Sequence, residues 1–197
     1  MLSPALKLAN QLSRIAIWVA GCLTLVSALY ITIDVVSRKL LNAPLGSSDE
    51  LSGYIFAIGI SWSLSYATLE RANIRIDAIY QLLPTRLAAL LDWLALVGLS
   101  VFIIFLTMYA TDVAGMSWEY QSTANTILGT PLWIPQTLWV LGLVWLCIVL
   151  ALMLLRSSFA LITGNTFLVQ KTAGLRTSKE EANTEAEAGK KLILGDE

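Results

Sequence analysis

Four long stretches of this sequence contain no charged side chain: Ile15 to Ile33, Leu51 to Leu69, Trp93 to Thr111 and Tyr120 to Leu155. A helix that crosses the hydrocarbon layer of a membrane needs about 20 mostly apolar residues. The first three stretches match that length. Pro131 and Pro135 divide the fourth into a loop and a final span. Every backbone polar group inside lipid must be paired within the protein, and helices achieve that. The sequence therefore reads as an all-α integral membrane protein. Its four transmembrane helices fall at about 15–36, 51–69, 88–111 and 135–155.

Composition agrees: 56% of residues are hydrophobic, 14% are charged and the mean hydropathy is +0.69. The net charge of -1 gives no reason to expect a nucleic-acid partner. Cys22 and Cys147 each lie inside an apolar span and read as small buried hydrophobes. The chain has no histidine, which removes bis-histidine haem, histidine-ligated zinc and imidazole proton relays. No cofactor, metal or catalytic residue is expected, and the chain does not read as an enzyme.

Lys7 and Arg14 precede the first span, and Val19-Ala20-Gly21-Cys22 resembles a lipoprotein cleavage box. The apolar run begins only at Ile15 and continues past Cys22 to Ile33, so a retained first helix is the expectation. Positive charge favours the cytoplasmic side. Lys7, Arg14, Arg71, Arg75, Arg86 and Arg156 place both termini in the cytoplasm. The connection after span three carries Asp112 and Glu119 and no positive residue, so it faces outward. Trp18, Trp93 and Trp133 fall near span ends, as interfacial aromatics do.

Asp34 and Arg38 close span one and share a helical face. They read either as a surface ion pair or as a polar contact with a partner. Asn42-Ala43-Pro44-Leu45-Gly46 is a turn. Ser47 and Glu50 have capping-box spacing, and Asp49 and Glu50 suit the positive end of the helix dipole. The same two carboxylates could instead receive a soluble protein. In span two, Gly53, Ala57, Ser61 and Ser65 place a small residue at every fourth position, which reads as one stripe for close helix packing or as chance. Ile76, Ile79, Tyr80 and Leu83 have helical apolar spacing within a charged segment, predicting an interfacial amphipathic helix over about 74–83. Asp92 lies near the start of span three, at a depth from which water is reachable. The membrane domain is expected to cover 1–165. The segment 166–197, rich in charge after Lys171, is expected to be a disordered cytoplasmic tail.

The order of these parts resembles the small membrane subunit of tripartite ATP-independent periplasmic (TRAP) transporters, the DctQ-like family. The resemblance runs from about Ser13 to Arg156. It is carried by Asp34-Val35-Val36-Ser37-Arg38, Asp49-Glu50-Leu51, Arg71-Ala72-Asn73-Ile74-Arg75-Ile76-Asp77 with Leu82-Leu83-Pro84, and Pro131-Leu132-Trp133-Ile134-Pro135. Family members often have histidine where this chain has Asn73, which can donate and accept hydrogen bonds but cannot titrate. The resemblance implies a bacterial or archaeal inner-membrane assembly performing sodium-coupled uptake, usually of an organic acid. Its partners would be a large DctM-like membrane subunit and a periplasmic DctP-like solute-binding protein. The small subunit would act as a scaffold in the lipid bilayer. Asp34, Arg38, Asp49, Glu50, Arg71, Asn73, Arg75 and Asp77 become candidate polar partner contacts. The competing readings are a stand-alone four-helix channel or carrier and a membrane-anchor subunit of another complex. A channel would need polar residues along a path across the midplane, for which Ser61 and Ser65 are weak candidates that packing explains equally well.

Overall fold

The computed structural model describes residues 2–42, 46–72, 83–126, 128–164 and 166–174, together with 186 and 189. Four long helices carry the chain: α1 over Leu2–Leu40, α2 over Ser48–Leu69, α3 over Thr85–Glu119 and α4 over Trp133–Ile162. A short α5 follows over Thr166–Ala173. The expected interfacial helix falls almost wholly on residues outside those described.

The long helices run beyond the apolar spans. α1 has 39 residues and α3 has 35, or about 58 and 52 Å at 1.5 Å per residue. Charge ends a span but does not end a helix. No glycine or proline interrupts the flanks of α1 between Ala5 and Ala20 or between Gly21 and Leu41. Backbone geometry ends the helices instead. Arg71, Gln121 and Gly164 adopt positive φ values of 56°, 47° and 70°. After α2, Ala72 N–H donates to Ala67 O at 2.9 Å and Arg71 N–H to Thr68 O at 3.1 Å. After α3, Ser122 N–H donates to Ser117 O at 3.0 Å and Gln121 N–H to Trp118 O at 3.3 Å. These are Schellman closures, and they satisfy carbonyls that a helix end leaves open.

The helices stand in a row. α1 packs along α2, α2 along α4 and α4 along α3, while α1 also reaches α4 near Ser13 and Trp145. Burial follows this order. The most apolar window of α4 is 39% buried, against 28% in α3 and 11% in α1. Leu96 and Ile103 of α3 meet Leu146, Val149, Leu150 and Met153 of α4 in the core. The flanks expose large apolar side chains, including Leu25, Leu29, Phe102 and Phe105. Such continuous apolar surface suits lipid or a partner, not water.

Among the described residues three helices, α1, α3 and α4, are long and apolar enough to cross a membrane. α2 does not reach that standard, because Ser48, Ser52, Ser61, Ser63 and Ser65 dilute its apolar content. Cys22 is exposed on α1, not buried as expected. It lines an open groove between α1 and α2.

Disorder from residue 166 is not what the structure shows for the segment up to 173. α5 folds back on α3 and α4, where fully buried Val169 covers Ala89 and Ala160. Ala173 joins Ala9 and Met153 in the main core. The two apolar residues Leu168 and Val169 are enough once neighbouring helices offer a surface. Truncation after Gly164 should therefore destabilise the chain, by about 1.5–3 kcal/mol for Val169 alone. Truncation after Gly174 should be close to neutral. Thermal unfolding of the two truncated chains in detergent measures the difference.

Candidate functional site

One end of the row gathers a set of polar side chains that connect helices. Asp34, in the last turns of α1, is fully buried. Its Oδ2 accepts from Arg38 Nη2 at 2.5 Å and from Ser48 Oγ at 2.6 Å. The carboxylate thus joins the end of α1 to the start of α2. The sequence offered a surface ion pair or a partner contact, and the geometry is a buried carboxylate whose arginine is half exposed (52%). Arg38 and Lys39 also lie in the last turn of α1, where the helix dipole favours cations. Tyr30 OH stands 3.5 Å from Ser47 Oγ and adds a second, longer contact across the same turn.

The capping box does not form. Ser47 occupies the N-cap position of α2 without a side-chain capping bond. The Glu50 carboxylate turns instead to Tyr54 OH, which donates to Oε1 at 2.9 Å, and to the Thr126 hydroxyl, which donates to Oε2. A competing acceptor role across the fold has displaced the local one. Thr126 belongs to a tight hairpin-like connection between α3 and α4. There Ala124 N–H donates to Thr130 O at 2.9 Å and Leu132 N–H donates to Ser122 O at 3.0 Å. Trp118 and Trp133 close its base edge to face, with centroids 4.6 Å apart. Asp49 remains exposed beside this rim.

Hydrogen bonding to the anion holds the Glu50 carboxyl below its ordinary 4.5. Thr126 contributes most. Thr130 follows, with its hydroxyl near the carboxylate but outside hydrogen-bond geometry, and desolvation opposes them. A depressed carboxyl stabilises the fold above its unfolded value and loses that contribution as pH falls through the folded value. Acidification below about 4.5 should release the α2 rim from the connection. Glu50→Gln should flatten this acid limb. Thermal midpoints of both chains between about pH 3.5 and 6 measure it.

The small-residue stripe of α2 divides in two. Ser61 and Ser65 are buried, while Gly53 and Ala57 are exposed. The reason lies in the helical period. A step of four residues overshoots one turn by about 40°, so Gly53 and Ser65 point about 120° apart. The inner half packs on α4 and α1. A Cβ at Gly142 of α4 would lie 2.8 Å from Trp62 Cδ1 and would overlap Ser61. Trp62 Nε1–H donates to Leu138 O at 3.1 Å across the same contact. Ser13 Oγ lies 3.0 Å from Ser65 Oγ and accepts from Trp145 Nε1–H at 3.1 Å, joining α1, α2 and α4 at one buried point. In the outer half, no described atom lies within 4 Å of a Cβ built at Gly53, and Ala57 is exposed.

At the opposite end Arg71 Nη1 donates to Gln170 O at 3.3 Å, holding the end of α2 to α5. Asp92 does not reach water there. It is fully buried on α3, engaged in polar contacts, with Oδ2 3.0 Å from a Cβ built at Gly174. Asn73, Arg75 and Asp77 lie outside the described residues. Among the described residues no group of three metal-ligating side chains converges.

A family model for the DctQ component of tripartite ATP-independent periplasmic transporters matches residues 27–160. The chain belongs to the DctQ family. That family is one of transporter components, and its members are membrane proteins in TRAP systems. The match spans the polar rim, the α2 stripe and the α3–α4 connection, from the third quarter of α1 to the last turn of α4. No curated protein and no solved structure shows significant similarity to the chain.

Proposed function

We propose that this DctQ-family chain is the small permease subunit of a TRAP-type secondary transporter. It scaffolds a larger DctM-like subunit during sodium-coupled uptake of an organic acid delivered by a periplasmic DctP-like binding protein. The family match carries this reading. The architecture supports it. A row of helices leaves both flanks apolar and open, as expected of a component that is covered by a partner and by lipid.

α2 is the fourth span of this reading. At 22 residues it is about 33 Å long, the thickness of the hydrocarbon core. Several of its hydroxyls are satisfied within the helix: Ser63 donates to Gly59 O at 2.6 Å and Thr68 to Leu64 O at 2.8 Å. Internal pairing of this kind lets a serine-rich helix sit in lipid. Both termini are then cytoplasmic, in a bacterial or archaeal inner membrane, and the rim of Asp34, Arg38, Asp49 and Glu50 faces outward toward the binding protein. A cysteine placed at Ser122 should react with an impermeant reagent in intact cells, and one at Ser178 should not.

Gly53 and Ala57 mark the face for the large subunit, because they are the part of the stripe that the chain itself leaves open. Ala57→Leu should therefore weaken co-purification with the large subunit while leaving the stability of the isolated chain unchanged. Normal co-purification of Ala57→Leu would move the interface to another face.

A further inference from the structure

Among the described residues, two cations without partners face one cleft at the end of the row that carries α5. The cleft is about 300 Å³ and is lined by Lys7 and Asn10 of α1, Leu69 of α2, Met153 and Arg156 of α4, and Thr172 of α5. None of its lining residues is acidic. Among the described residues neither Lys7 nor Arg156 has an ion pair or hydrogen bond. Arg156 is the first charge after the uncharged run that ends at Leu155, and Lys7 stands two turns before Ile15. The cleft thus sits where the apolar spans meet water.

An open apolar groove of about 880 Å³ lies between α1 and α2, walled by Ile17, Gly21 and Leu25 on one side and Ile60, Leu64 and Ala67 on the other. The cleft and the groove are stacked on one face of α1. Lys7, Asn10, Arg14, Ile17, Gly21 and Leu25 follow one another by three or four residues.

We infer that cleft and groove together bind one anionic phospholipid. Lys7 and Arg156 hold its phosphate, with Asn10 as a neutral donor, and one acyl chain lies along the α1–α2 groove. Basic pockets between membrane helices select anionic headgroups in this way. The charge decides the occupant: a hydrophobic helix of a partner would fill the groove but leave two cations facing a cleft without an anion. A free phosphate would satisfy the cations but leave the groove without a use.

The test is native mass spectrometry of the full chain released from nanodiscs of phosphatidylcholine with or without phosphatidylglycerol. One retained phosphatidylglycerol and no retained phosphatidylcholine is the expected result. Each of Lys7→Gln and Arg156→Gln should weaken retention about fivefold, the contribution of one basic residue at a membrane surface. Gly21→Leu places bulk in the groove where no atom lies within 4 Å of the added Cβ, so it should lower lipid retention without unfolding the chain. Inorganic phosphate should not displace the lipid. Equal retention of the two lipids, equal retention by the charge variants, or displacement by inorganic phosphate would each overturn the assignment. So would retention that Gly21→Leu leaves unchanged, or loss of the lipid whenever the large subunit binds.

Discussion

Gly142→Leu is expected to produce a large loss of stability. The contact between α2 and α4 is set by the absence of a side chain at this position. Even one added carbon would lie 2.8 Å from Trp62 Cδ1, and Trp62 is itself tied to Leu138 O. Leucine adds three more carbons where the helices already touch. Overpacking of this kind costs about 1–3 kcal/mol, occasionally more. Lipid supplies no hydrophobic drive that would close the helices again after a shift. The proper control is Gly98→Leu in α3, where no atom lies within 4 Å of the added Cβ. Thermal unfolding in one detergent should separate the two variants clearly, with Gly98→Leu close to the parent chain.

Asp34→Ala should be nearly as damaging, for an electrostatic reason. Its removal leaves the Ser48 hydroxyl and the Arg38 guanidinium without their shared acceptor at the α1–α2 junction. Breaking a fully buried pair costs about 3–5 kcal/mol, but Arg38 is half exposed and can recover water. A loss of about 1–3 kcal/mol is expected. Arg38→Ala should cost at least as much, because it leaves a fully buried carboxylate without its cation, whereas the half-exposed Arg38 left by Asp34→Ala recovers water. The ranking Arg38→Ala at or above Asp34→Ala is the readout. The reverse order would place the weight of the junction on the Ser48 bond and not on the charge pair.

The helices were legible in the sequence because uncharged runs of membrane length have few other solutions. Their true lengths were not, because Lys7, Arg14, Arg38 and Lys39 end the apolar span while remaining good helix formers. The pairing of Asp34 with Arg38 followed from spacing alone. Its burial did not, since that depends on Ser48 arriving from the next helix. Ser47 and Glu50 had the right spacing for a capping box, but Thr126 and Tyr54 offered Glu50 stronger partners, and no local pattern encodes a contact 76 residues away. The stripe on α2 was visible as a pattern, and the 40° drift per step explains why only Ser61 and Ser65 pack within the chain. Gly142 gives no signal in the sequence, because a lone small residue among large ones carries no period. The residues Phe167-Leu168-Val169 were too short a run to stand out beside the charged segment that follows.

The scaffold reading rests on a chain that holds other subunits and moves no solute itself. Its most direct measurement is sodium-driven uptake into proteoliposomes, with the chain alone, the large subunit alone, and both together with the binding protein. The reading predicts no uptake by the chain alone and full uptake only when all three proteins are present. Sodium-dependent uptake by the purified chain alone would contradict it.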